Sequence, residues 1–179
     1  IPFGLSIGNR NYLQGLNYLL NEEPDKAIDV FIKMADVDSD TIETHLALGN
    51  LFRRRGEVNR AIRIHQNLIA RPHLDQHSRA DALLALAKDY LSAGVLDRAE
   101  ALFNELVESR MHLAASFRCL LTIYQQEKSW DKAIKVAESL ESETPYSVHQ
   151  EIAHYYCELA ELAIESGEKD RAYSLIKRA

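Results

Sequence analysis

With 179 residues, 46% of them hydrophobic and 27% charged, the chain is long enough to bury a core and too apolar to stay unfolded. A formal charge of -6 argues against nucleic acid as a partner, because binding to a phosphate backbone needs a basic surface that releases counterions. Two cysteines, Cys119 and Cys157, build neither a disulfide framework nor a zinc-ligand spacing and fit a reducing compartment, and the longest apolar runs fall short of the roughly 18 residues of a membrane span.

Residues 1–8 read as a flexible N-terminal segment without the pattern of a signal peptide, and 9–179 as one run of helical repeats. The tripeptides "DKA", "NRA", "DRA", "DKA" and "DRA" end at Ala27, Ala61, Ala99, Ala133 and Ala172, spaced 34, 38, 34 and 39 residues apart. A period of that size predicts stacked helix pairs, here five units near 8–41, 42–79, 80–113, 114–152 and 153–179 with the recurrent alanine at position 20. The chain starts without Met and stops within a helical pattern, so it reads as a piece of a longer protein whose open repeat end offers a surface for homodimerisation.

Along the first helices, position 8 holds Gly15, Gly49, Ala87, Leu121 and Ala160, and position 11 holds Tyr18, Phe52, Tyr90, Tyr124 and Ala163. Position 7 gives Leu48, Leu86, Leu120 and Leu159 after Gln14, and position 24 on the second helices gives Phe31, His65, Phe103, Ala137 and Ile176. This is the tetratricopeptide pattern. Two antiparallel helices approach closely only where small residues face each other, so positions 8 and 20 form the notch and the large side chains fill the space around it. Asp25, Asn59, Asp97, Asp131 and Asp170 fall in the first turn of the second helices, where they complement the helix dipole. Gly56, Gly94 and Gly167 mark the reversals at position 15, and Ser78 with Asp81 and Asp40 with Glu43 resemble capping boxes. The longer periods are absorbed around "RPHLDQHS" and "ETPYSVHQ", as loops or lengthened helices. The expected fold is all-α, a right-handed tetratricopeptide solenoid of about ten helices.

Little of the chain reads as catalytic. His73, Asp75 and His77 flank a probable turn without a further ligand, His65 takes a core slot as a partly buried packing residue, and Cys119 and Cys157 read as structural. The run Arg53, Arg54, Arg55 reads as a solvated helix end complementing the dipole. No metal or cofactor is expected in this chain. The remaining candidates are groove positions 2, 5, 9 and 12 of the first helices: Tyr12, Leu16, Asn50, Arg53, Asp81, Lys88, Arg118, Gln125 and Glu161. They combine both charges with hydrogen-bonding groups and suit a peptide or protein segment, with no role in the core. The lysine and asparagine of chaperone-binding tetratricopeptide clamps are replaced by Tyr12 and Leu16.

The stretches "LNYLLNEEPDKAIDVF", "THLALGNLFRRRGEVNRAIRIHQNLI", "DYLSAGVLDRAEALFNEL" and "EIAHYYCELA" resemble the first repeats of the lipopolysaccharide assembly protein B family, from about Tyr12 onward. "GNLFRRRGEVNRAIRIHQ" carries most of the likeness, because the repeat does not dictate its polar positions. The resemblance implies a non-enzymatic adaptor on the cytoplasmic face of the inner membrane of Gram-negative bacteria. It further implies that, with the membrane-bound protease FtsH, the adaptor promotes degradation of the lipid A deacetylase. The family also has a membrane anchor, further repeats and a rubredoxin-like domain with four metal-binding cysteines, none of them in this sequence. The alternatives are a generic tetratricopeptide adaptor for another bacterial complex, or a thiol-dependent enzyme using Cys119 or Cys157.

Overall fold

The computed structural model describes residues 13–15, 17, 18, 21, 23–33 and 39–179. The proposed flexible segment 1–8 and the groove candidates Tyr12 and Leu16 lie outside these residues. Residues 13–15, 17 and 18 are helical, followed by α1 (Pro24–Lys33), α2 (Ser39–Arg54), α3 (Val58–Ile69), α4 (Gln76–Ser92), α5 (Leu96–Glu108), α6 (Leu113–Gln126), α7 (Trp130–Glu143), α8 (His149–Glu165) and α9 (Lys169–Ile176). Among the described residues there is no strand. The chain divides within α5 into two compact units, one ending at Ala99 and one starting at Glu100.

All five recurrent alanines are buried, four of them completely, as the notch requires. In the first unit α2 packs on α3, α3 on α4, and α2 also on α4, so α2 meets its own second helix and the first helix of the next repeat. Ala27, Leu48, Phe52, Ala61 and Ile64 form one cluster there, with Tyr18 and Val30 against it. In the second unit α6 packs on α7, α7 on α8, and α8 on α9. Phe117, Leu120, Ile123, Trp130, Leu140 and Tyr155 are buried in it. Among the described position 24 residues, His65, Phe103 and Ala137 are buried, and Ile176 on α9 departs from the expectation at 54% exposed.

The reversal from first to second helix is the same in every repeat. An N–H donates to the carbonyl five residues earlier, Glu23 to Tyr18, Glu57 to Phe52, Val95 to Tyr90, Ser129 to Tyr124 and Glu168 to Ala163, at 2.8–2.9 Å. This is the bond that closes a helix over a left-handed residue. Gly56, Gly94 and Gly167 supply that residue at φ of +72° to +80°, whereas the fourth repeat places Lys128 there at φ 54°. Arg110 and His112, also left-handed, make the turn from α5 to α6.

Within the two longer periods the first helices α4 and α8 each run to 17 residues, against 16 in α2 and 14 in α6. This corrects the expected capping boxes. Asp75, and not Ser78, caps α4, accepting from the N–H groups of His77 at 2.9 Å and Ser78 at 3.0 Å. Bonds from Ser78 and from these backbone donors hold its carboxyl below the usual range. Asp40 likewise lies inside α2, which already begins at Ser39.

Candidate functional site

The groove positions of the first unit come together on α2 and α4. Asn50, Arg53 and Lys88 line one cleft of about 350 Å³, with Leu46, Arg54, Asp81, Leu84 and Ala85. The helical spacing explains this: residues three and four apart share a face, so Leu46, Asn50 and Arg53 form one wall and Asp81, Leu84, Ala85 and Lys88 the other.

Arg53 does more than line the cleft. Its Nη1 donates to Asp89 Oδ1 at 2.8 Å and to the Ala85 carbonyl at 3.2 Å, and its Nη2 donates to Asn50 Oδ1 at 2.8 Å. Asp89 is fully buried, and its Oδ2 lies 2.5 Å from Nδ1 of His65, itself fully buried on α3. A carboxylate only accepts, so the proton of a neutral His65 ring is assigned to Nδ1. The other ring nitrogen, Nε2, has no hydrogen-bond partner among the described residues. The ring fills the place where residue 49 would carry a side chain, since a Cβ there would lie 2.6 Å from Cε1. Gly49 is thus glycine to admit His65.

Two expectations are corrected by this chain of contacts. Arg53 is not a solvated helix end free of any structural role, because the buried carboxylate of Asp89 depends on it. His65 is not merely partly buried filler; it is completely enclosed and hydrogen-bonded. Asp89 itself was missed. Its signal in the sequence is an acid inside "LLALAKDYL", one residue before the aromatic of position 11 and so close to the buried stripe.

In the second unit two of the groove candidates, Arg118 and Gln125, engage tyrosines. Arg118 stacks with its guanidinium carbon 4.2 Å from the ring centre of Tyr146, an exposed residue just after Pro145. Gln125 donates through Nε2 to the Tyr155 hydroxyl at 2.6 Å, and Tyr155 stacks on Trp130 with ring centres 5.8 Å apart. Glu161 is exposed on α8. Beside them, the Tyr124 hydroxyl donates to Glu100 Oε1 at 2.6 Å, and Lys132 reaches the same oxygen at 3.2 Å. The bond from Tyr124 holds the Glu100 carboxyl below its usual range, while burial and then Glu100 push the Tyr124 hydroxyl up. A second cleft, of about 380 Å³, lies where the α6–α7 turn meets α8, lined by Lys128, Trp130, Lys132, Leu159, Leu162 and Arg171 among others.

Cys119 is half-buried and Cys157 exposed, and neither is bridged. His154 lies edge-on to Trp130. No three metal-ligating side chains gather among the described residues, and the Asp75 carboxylate between His73 and His77 is taken by its cap bonds. A four-cysteine metal site of the rubredoxin kind does not fit a chain with two cysteines.

Residues 44–77 match the family model of the tetratricopeptide repeat. Over 170 residues the chain is 46% identical to lipopolysaccharide assembly protein B of Escherichia coli (strain K12), covering 95% of this chain and 44% of that protein. It is 39% identical over 173 residues to the protein of the same name from Haemophilus influenzae, covering 92% and 44%. The chain therefore spans less than half the length of these curated relatives. Two crystal structures of MamA share the fold: one at a TM-score of 0.54 and 22% identity, covering 97% of this chain and 92% of that one, the other at 0.56 and 19%, covering 96% and 88%. The fold is that of the tetratricopeptide repeats, and the likeness to lipopolysaccharide assembly protein B extends over nearly the whole chain, as the quoted stretches implied.

Proposed function

We propose that this chain is a non-enzymatic, protein-binding scaffold that acts in lipopolysaccharide assembly. In this reading it serves as an adaptor that brings the lipid A deacetylase to the protease FtsH at the cytoplasmic face of the inner membrane. The relatives' shared name supports the process, and the repeats support recognition of a protein segment. One observation carries the reading most: the unit 1 cleft presents Lys88 and Arg54, whose side chains have no ion pair or hydrogen bond among the described residues, beside the amide of Asn50. Polar groups that the fold does not consume are available to a partner. On the second unit Arg118, stacked on Tyr146, and the exposed Glu161 are the further candidates, whereas Gln125 is engaged by Tyr155.

The test is a pull-down with purified lipid A deacetylase and FtsH. Arg53 must be left intact, because removing it would strand Asp89. Lys88→Ala with Arg118→Ala should preserve helicity, since surface changes usually cost under about 0.5 kcal/mol each, and should weaken capture of one or both proteins. Undiminished capture by the double variant would show that neither residue recognises these partners.

A further inference from the structure

From the charge and shape of the unit 1 cleft we infer that its occupant is an acidic peptide segment, one that sets an Asp or Glu carboxylate between Arg54 and Lys88 and an adjacent apolar side chain on Leu46 and Leu84. The inference rests on the groove reading above and deepens it by naming the chemistry of the partner.

The cleft runs against the charge of the rest of the molecule. The chain carries -6, yet this wall-to-wall set holds Arg53, Arg54 and Lys88 against the single carboxylate of Asp81. Arg53 is matched from below by the buried Asp89, and Asp81 has an interaction of its own. Counting Asp89 and Asp81 against the three cations, one positive charge remains, supplied by Arg54, exposed at the end of α2, and Lys88, half-buried on α4. A half-buried ammonium beside leucines is screened less by salt than one in open water, so an incoming carboxylate gains more there.

The apolar part of the walls explains why a peptide suits the cleft better than a lone anion. Leu46, Leu84 and Ala85 offer apolar surface that a free phosphate would leave uncovered. Asn50 has its oxygen turned to Arg53, which leaves its Nδ2 hydrogens as donors for a backbone carbonyl. Asp89 and His65 act as positioning residues in this arrangement. By holding Arg53 they fix Asn50, so the donor is set before the partner arrives and costs less to order on binding. A volume of about 350 Å³ limits direct contact to a few side chains of the partner.

The probe is a bead library of random eight-residue peptides, screened with the fluorescently labelled 179-residue chain, followed by anisotropy titration of the enriched sequences. Enriched peptides should pair Asp or Glu with Leu, Ile, Val or Met. They should bind about tenfold more weakly to the Arg54→Gln, Lys88→Gln variant, and more weakly with added salt. The Lys132→Gln, Arg171→Gln variant, altered in the other unit, should bind like the parent. Circular dichroism checks that each variant is folded, and Arg54→Gln alone, at an exposed position, should already weaken binding. Neutral or basic peptides that still lose affinity in the Arg54, Lys88 variant would overturn the acidic chemistry and leave the groove reading standing. Acidic peptides bound equally by that variant and the parent would overturn the groove reading itself. A library without any enriched sequence would overturn both.

Discussion

The two units use one repeat and close it in different ways. In the first, positions 8 and 24 of the second repeat hold Gly49 and His65; in the second, the corresponding pair in the fourth repeat is Leu121 and Ala137. Bulk is moved from one helix to the other, which keeps the notch filled while changing its chemistry. The imidazole brings Asp89 with it, and Asp89 brings Arg53, so the first unit has a polar chain from its core to its cleft. The second unit has Leu162, 47% exposed, at the position of Asp89, and closes instead around Trp130 and Tyr155. Its groove residues Arg118 and Gln125 lean on tyrosines and tie down no buried charge. The common pattern thus fixes where helices meet, and the departures from it decide which surface residues the core depends on.

The largest effect that would break this contrast is at Asp89. Asp89→Ala leaves a buried imidazole N–H without its acceptor and Arg53 without its counter-charge, and should cost about 3–5 kcal/mol in urea unfolding. Leu162→Ala, at the same repeat position in the second unit, should stay within about 0.5 kcal/mol. Similar costs for the two would mean that the buried clip is not a feature of the first unit alone.

Next comes Gly49→Ala. In an exposed helix this change stabilises by up to about 1 kcal/mol, but here the new methyl meets the His65 ring and should destabilise by about 1–3 kcal/mol. In a His65→Ala background the sign should reverse, which a double-mutant cycle measures. Where the repeat is common to both units they should respond alike: Ala61→Leu and Ala133→Leu, both at fully buried notches, should each cost about 1–3 kcal/mol.

A smaller effect separates the units by pH. The Tyr124 hydroxyl is pushed up, so the stability it contributes is complete below the unfolded value near about 10 and is lost as pH rises beyond it. The Glu100 carboxyl is held down, so its contribution is present above about 4.3 and is lost as pH falls through the lowered value. Tyr124→Phe should cost about 1 kcal/mol at neutral pH and flatten both limbs, read by hydrogen exchange of α6 and α7. Unchanged limbs would remove the Tyr124–Glu100 bond from the account. The smallest expected effect is at Lys128, left-handed where three other repeats have glycine. Lys128→Gly should be neutral to about 1 kcal/mol stabilising in thermal unfolding, while Gly94→Ala should cost about 1 kcal/mol or more.

Much of this was legible in the sequence because it repeats. Five alanines in register located the notches, and Gly56, Gly94 and Gly167 located three reversals, since only glycine enters a left-handed turn without penalty. Lys128, Arg110 and His112 make equivalent turns with side chains that carry no such signal. The cap at Asp75 was masked by a better-looking Ser78 three residues on. Asn50, Arg53 and Lys88 were placed on one face by spacing alone, and they do share a cleft. That Arg53 is bound from beneath depends on Asp89 and His65, 36 and 12 residues away in sequence, and no periodicity reports a single pairing of that kind. Gly49 looked like another small notch residue; its reason, the ring of His65, exists only in three dimensions.

The central claim is that a partner is recognised in the cleft between α2 and α4. The most direct measurement places a photo-crosslinking amino acid at Leu84, in that cleft, or at Leu162, in the cleft of the second unit, and irradiates each variant with purified lipid A deacetylase and FtsH. The account predicts a crosslink to one of them from position 84 and none from 162. A crosslink from 162 alone, or equal yields from both, would contradict it.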